Sequence, residues 1–203
     1  MDKLLESFRA NHINGYIVKN REEAKKLALE LIPKGSTIAM GNSLTLREIG
    51  LFDHIINGDF NVINQFEQGI SAEENVKRRK AGLMSDVYLT SSNAITLDGE
   101  LVNIDGKGNR VAAMMFGPER VIIIVGENKI VANLEEAWIR IKEKTAPELS
   151  KRLGRSTPCA KTAKCANCVS PERICRFYTM ISGQMPVDKD RIHVILVKEH
   201  LGI

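Results

Sequence analysis

The chain predicts an α/β fold with a mainly parallel sheet held between helix layers, and three observations carry the prediction. Strand-like aliphatic runs alternate with amphipathic segments of helical period along nearly the whole length. The apolar residues are chiefly aliphatic, with only 6 Phe, 3 Tyr and 1 Trp in 203 residues, which suits strands buried on both faces. An Asp98-Gly99 pair between apolar runs marks one antiparallel hairpin inside the alternation.

Taken in order, Met1–His12 puts Leu4, Leu5 and Phe8 on one helical face, and Ile13–Val18 reads as a short strand. Arg21–Ile32 is the clearest helix: Ala24, Leu27, Ala28, Leu31 and Ile32 follow the i, i+3, i+4 rule, and Pro33 and Gly35 stop it. Ser36–Met40 is a strand that runs into Gly41-Asn42-Ser43-Leu44-Thr45, and Thr45-Leu46-Arg47-Glu48 fits a capping box opening the next helix. Val62–Asn64 is strand-like. Ser71-Ala72-Glu73-Glu74 is a second capping box, before a helix carrying the basic run Lys77-Arg78-Arg79-Lys80. Strand Asp86–Thr90 leads into the hairpin, whose arms are Ala94–Leu97 and Glu100–Asn103, and a second turn follows at Asp105-Gly106-Lys107-Gly108-Asn109. Arg120–Val125 is a strand, Asn133 caps a helix with Ala137, Trp138 and Ile141 inward, and Ile192–Val197 is the last strand. One domain spans 1–203, with 155–190 as a Cys-rich appendage.

Composition narrows the function classes. With 43% hydrophobic residues a full core can be buried, and a formal charge of +4 with Lys and Arg spread among Asp and Glu implies no nucleic-acid surface. No apolar signal region opens the chain, and runs such as Val121–Val125 are far shorter than a membrane span, so the expectation is a cytoplasmic protein with no membrane partner.

Polar and glycine-rich positions crowd two places. Gly41, Asn42, Ser43 and Thr45 deliver backbone N–H groups and two hydroxyls after a strand, where a helix N-terminus favours an anion. The loop is neither a Walker loop nor a dinucleotide fingerprint, and helix capping alone also accounts for it. The turns after strand Asp86–Thr90, with Asn93, Asp105, Gly106, Gly108, Asn109 and Arg110, hold further N–H groups and one cation. Both stretches lie at strand carboxyl ends, where open α/β sheets bind ligands, so they are expected to line one crevice for a small anionic ligand. Glu100 and Asp105 are the carboxylates left for acid–base work once Asp98 is given to its turn. Of the basic run, one member has the reach for a phosphate; the rest form a solvated face. His193, alternating with Ile192 and Val194, reads as a solvent-face or packed residue.

All four cysteines, Cys159, Cys165, Cys168 and Cys175, fall in a C-x5-C-x2-C-x6-C pattern. In a reducing compartment such thiols favour a soft-metal site over disulfides, and four thiolates suit either tetrahedral zinc or an iron–sulfur cluster; the alternative is four free thiols.

The runs Met40–Gly50, Asn93–Ala112 and Gly126–Val131, with the four-cysteine tail ending in Arg191–Gly202, resemble the LUD-domain (lactate utilisation, DUF162-type) family, in a stand-alone branch. The resemblance covers nearly the whole chain. It implies the NagB/RpiA/CoA transferase-like superfamily of sugar-phosphate isomerases, glucosamine-phosphate deaminases and CoA transferases, hence a three-layer α/β/α fold with a polar ligand at the strand ends. Asn93 stands where the methylthioribose-phosphate isomerase pattern has an Asp, and an amide cannot take a proton as a carboxylate does. Two functions follow. The first is a component or accessory of lactate or 2-hydroxy acid utilisation, with iron–sulfur oxidoreductase subunits as partners. The second is a stand-alone enzyme of isomerase or transferase type acting on a phosphorylated or CoA-linked small molecule. A homo-oligomer is compatible with either.

Overall fold

Where the sequence alternates, the chain does too. The computed structural model describes residues 1–203. Its first half runs α1 (Asp2–Ala10), β1 (Asn14–Val18), α2 (Arg21–Glu30), β2 (Thr37–Met40), α3 (Leu44–Glu48), α4 (Leu51–Asn57), β3 (Asn61–Val62), α5 (Ala72–Ala81) and β4 (Val87–Thr90). The second half runs β5 (Ala94–Thr96), β6 (Leu101–Asp105), α6 (Asn109–Met115), β7 (Arg120–Gly126), β8 (Ile130–Val131), α7 (Leu134–Arg140), α8 (Ala146–Arg152), α9 (Pro158–Thr162), β9 (Phe177–Ile181) and β10 (Ile192–Val197).

Six strands in the spatial order β1-β10-β7-β4-β2-β3 form one sheet in which every neighbouring pair is parallel. Successive residues of a strand face opposite sides, so β7 sends Val121, Ile123 and Val125 to one core and Ile122 and Ile124 to the other. Both sides are buried, which is why β7 and β10 read as unbroken apolar runs. On one face Ala24 and Ala28 of α2, Leu46 of α3, and Leu51 and Ile55 of α4 close the core. The other face is covered by Leu4 and Phe8 of α1, Ala113 and Met114 of α6, and a second sheet in the order β8-β5-β6-β9. That small sheet buries Ile95, Leu101 and Ile181 inward and Ala94, Val102 and Ile104 outward, the latter against Ala137, Ile141 and Ala146 of the α7–α8 segment. The helix–sheet–helix layering is as expected, with a four-stranded sheet let into the second helix layer.

Four local differences from the sequence reading have physical reasons. The cap of α3 is Ser43, whose Oγ accepts from the Leu46 N–H at 3.3 Å, while Thr45 lies fully buried inside the helix and Glu48 accepts the Gly202 N–H at 2.6 Å instead of closing a capping box. The second turn continues into α6, because Gly108 (φ +82°) turns the chain so that helix starts at Asn109. The segment 155–190 is only partly an appendage: Phe177–Ile181 pairs antiparallel with β6 and completes the small sheet. Its residues, FYTMI, do not alternate apolar with polar and are largely exposed, so no buried face marked a strand. Finally, α2 ends at Glu30, two residues short of the apolar pattern, with Leu31 and Ile32 packing from the turn. The Asp98-Gly99 hairpin forms as expected, Gly99 at φ +90°. No helix is long and apolar enough to cross a membrane.

Candidate functional site

Because β2, β4 and β7 are adjacent and parallel, their carboxyl ends open on one edge of the sheet. Three chain reversals meet there: Gly41–Ser43 after β2, Ser91–Asn93 after β4, and the 3-10 turn Glu127–Lys129 after β7. Between them lies a crevice of about 430 Å³ whose wall includes Asn42, Ser43, Asn93, Asp105, Arg110 and Lys129. A larger hollow of about 740 Å³ lies at the opposite, amino-terminal edge of the strands, by Ser36, Asp86 and Arg120. Ligands of open α/β sheets gather at carboxyl ends, so the smaller crevice is the candidate.

The two stretches singled out in the sequence do converge. Asn42, Ser43, Asn93, Asp105, Gly106, Asn109 and Arg110 all line the crevice, whereas Gly41, Thr45 and Gly108 are not on its wall. Gly41 has a steric reason to be glycine: a Cβ there would stand 2.9 Å from Thr90 Oγ1 and 3.2 Å from Arg110 Cδ. Asn93 is a structural hub. Its Oδ1 accepts from the Ile104 N–H (2.9 Å) and Arg110 (3.2 Å), its N–H donates to Asn103 Oδ1, and its carbonyl accepts from Arg140 at 2.7 Å.

Arg110 is fixed, and its donors point into the protein: to the Ser91 and Ile104 carbonyls, to Asn103 Oδ1 and to Asn93 Oδ1. Asp105 faces its Nε at 3.5 Å and also accepts the Lys107 and Gly108 N–H groups, so this carboxylate organises the turn. Arg110 therefore supplies field to the crevice more than hydrogen bonds. Glu100 lies outside the crevice; it accepts from Thr96 Oγ1 at 2.6 Å within the hairpin, which removes it as an acid–base candidate.

The residue missed in the sequence is Lys129. Its side chain is 5% exposed, and Nζ donates to Thr45 Oγ1 at 2.9 Å and Ser91 Oγ at 3.1 Å. Burial first, then the Arg140 and Arg110 charges, pull this amine down to about 7. Its signal was present: Gly126-Glu127-Asn128-Lys129 leaves a third strand end, by the same rule that picked the other two. Of the basic run, Arg79 on α5 is the member that reaches the wall, held by Asn75 Oδ1 at 2.7 Å and Asn109 Oδ1 at 3.4 Å. Gln65 adds a buried side-chain oxygen on the same wall that has no partner.

The tail places its thiols apart from this crevice. Cys159 is buried with Sγ near Thr157 Oγ1 (3.3 Å) and Ser150 Oγ (3.8 Å), and Cys165 Sγ lies 3.8 Å from Asn167 Oδ1. The Cys168 and Cys175 carbonyls share the Arg173 guanidinium. The four are free thiols, and no three His, Cys, Asp or Glu side chains gather as metal ligands. His193 is packed, its Nδ1 3.0 Å from the Tyr16 hydroxyl.

The fold has a solved counterpart. A DUF162 family protein from Deinococcus radiodurans superposes with a TM-score of 0.55 at 18% identity, over 97% of this chain and 94% of that one. Ribose 5-phosphate isomerase from Plasmodium falciparum matches at a TM-score of 0.35 and 20% identity, covering 56% of this chain and 52% of that one. Ribose 5-phosphate isomerase A from Neisseria gonorrhoeae matches at 0.34 and 16%, covering 66% and 62%. No curated protein matches the chain. The sequence model of the LUD domain matches residues 1–197, a span that includes all three strand-end reversals, and the chain belongs to the LUD-domain family.

Proposed function

We propose that this protein binds a small anionic ligand in the crevice at the carboxyl ends of β2, β4 and β7, as a component or accessory of lactate or related 2-hydroxy acid utilisation. The observation that carries the reading is the charge of the wall. Arg79, Lys107, Arg110 and Arg155 line it against the single side-chain carboxylate Asp105, and that carboxylate is already bonded to its own turn. Cations with low-dielectric walls concentrate anions, and the volume suits a small molecule. Arg79, Lys107 and Arg155 share the lining with Ser43 and Asn42, so a carboxylate or phosphate in the crevice would meet cations and hydrogen-bond donors together. The utilisation role follows from the family resemblance, and the tail thiols carry no part of the reading.

Ser43→Asp is the test, because aspartate caps a helix as well as serine while adding a negative charge to the wall. Thermal shift of wild type is measured with lactate, its 2-oxo counterpart and inorganic phosphate. A ligand at a hundred times its Kd adds about 2.7 kcal/mol. At least one is expected to raise the wild-type midpoint and to leave Ser43→Asp unmoved. Equal shifts in both proteins remove the crevice as the binding site.

A further inference from the structure

Lys129 is placed as few lysines are. It lines a polar crevice with its amine buried, and it takes part in no ion pair. The charges around it are the cations Arg140, Arg110 and Lys144, with Glu48 as the one carboxylate, and Glu48 is engaged with the Gly202 N–H. Two of the three directions open to Nζ hold hydroxyls, Thr45 and Ser91. Gly202 packs close against this group: a Cβ built there would lie 3.0 Å from Nζ and 2.5 Å from Thr45 Oγ1, so the chain passes directly over the pair, and its neighbour Ile203 lines the crevice. An amine that only bound an anion would need neither hydroxyl contact nor shielding from bulk water. An amine that reacts needs its lone pair free and water excluded.

Resting on the anion-binding reading above, we propose that Lys129 is a nucleophile, its amine bonding to the carbonyl carbon of a small 2-oxo acid whose carboxylate lies toward Arg79. The nitrogen lone pair forms the C–N bond as the carbonyl π bond opens onto oxygen. The two N–H hydrogens then leave with that oxygen as water, through the Thr45 and Ser91 hydroxyls, and a C=N bond remains. The step needs no oxidant or reductant. The depressed amine leaves a large neutral fraction at neutral pH, as the step requires.

The experiment is reductive trapping of the intact chain at pH 7 with pyruvate or glyoxylate and cyanoborohydride, followed by peptide mass mapping. Expected is one reduced adduct at Lys129, exceeding that at any exposed lysine by more than about tenfold, as the neutral fraction of a depressed amine allows. It should be absent with lactate, which has no carbonyl, reduced by competing phosphate, and lost in Lys129→Met, whose fold is checked by far-UV circular dichroism. Adducts spread over surface lysines, or none at all, overturn the proposal; wild-type mapping decides even if the variant does not fold. The thermal-shift series separates the two claims. Anion stabilisation without an adduct leaves the binding site standing and removes the nucleophile, while neither result leaves neither claim.

Discussion

At the scale of the residue, the site is a set of polar side chains that largely satisfy one another, with one buried amine among them that has no counter-ion. Asn93, Asn103, Asp105 and Arg110 close their hydrogen bonds within the protein, so their buried polarity is compensated. Lys129 is buried against hydroxyls alone, and this has a measurable consequence for stability. Its folded amine titrates near 7, below the ordinary lysine value near 10.4, so between those limits the unfolded chain binds more protons and stability rises with pH. Below the folded value both states are protonated and the burial penalty is fully present. Lys129→Met removes the titration. The stability of wild type relative to this variant is therefore expected to rise with pH between about 7 and 10, by on the order of 4 kcal/mol, in paired urea melts. A difference flat across that range would mean the amine is solvated or charge-paired in the folded protein.

At the scale of the element, a tight joint lies where β7 ends. Gly126 faces the carboxyl-terminal segment so closely that an added Cβ would stand 2.5 Å from the Leu201 N and from Asn128 Oδ1, and 2.7 Å from the Glu199 carbonyl oxygen. Those groups already hold one another, since Leu201 N–H donates to Asn128 Oδ1 and Glu127 N–H to the Glu199 carbonyl. Gly126→Ala must push Leu201 and Gly202 away from Thr45 and Lys129. Overpacking of this kind typically costs about 1–3 kcal/mol, so the urea midpoint is expected to fall and the anion-dependent thermal shift to shrink with it. A variant of wild-type stability would show that the last residues pack loosely. Helix α5, by contrast, buries none of its residues; it is held by its Ser71 cap and by Arg78 bonding Glu74 and the Asn64 carbonyl, and it presents Arg79 to the crevice.

At the scale of the whole molecule, the cores are stitched together by shared strands. The two large cores lie on opposite faces of the same six strands, and the small sheet joins one of them through Ile95, Leu101 and Ile181 while packing its outer face on α7 and α8. The one tryptophan, Trp138, sits in that outer layer against Tyr178. Layers tied in this way are expected to unfold together, so Trp138 fluorescence and far-UV circular dichroism should give coincident urea transitions. An earlier fluorescence transition would show that the α7–α8 layer and the small sheet come away as a separate unit.

What the sequence by itself determined is the α/β alternation, the hairpin at Asp98-Gly99, the helices capped by Ser71 and Asn133, and two of the three strand-end reversals that form the crevice. These are local: turn residues, caps and hydrophobic period act over a few positions, and parallel strands buried on both faces announce themselves as apolar runs. Tertiary structure alone decided that β9 joins the small sheet, that Arg110 turns its donors inward, that the Glu100 carboxylate accepts from Thr96 outside the crevice, and that Lys129 is buried beside Thr45, 84 positions away in the chain. No local rule ranks one lysine above another. Whether an amine is solvated or enclosed depends on which strand ends the sheet order makes neighbours, and here β7 lies next to β4, and β4 next to β2.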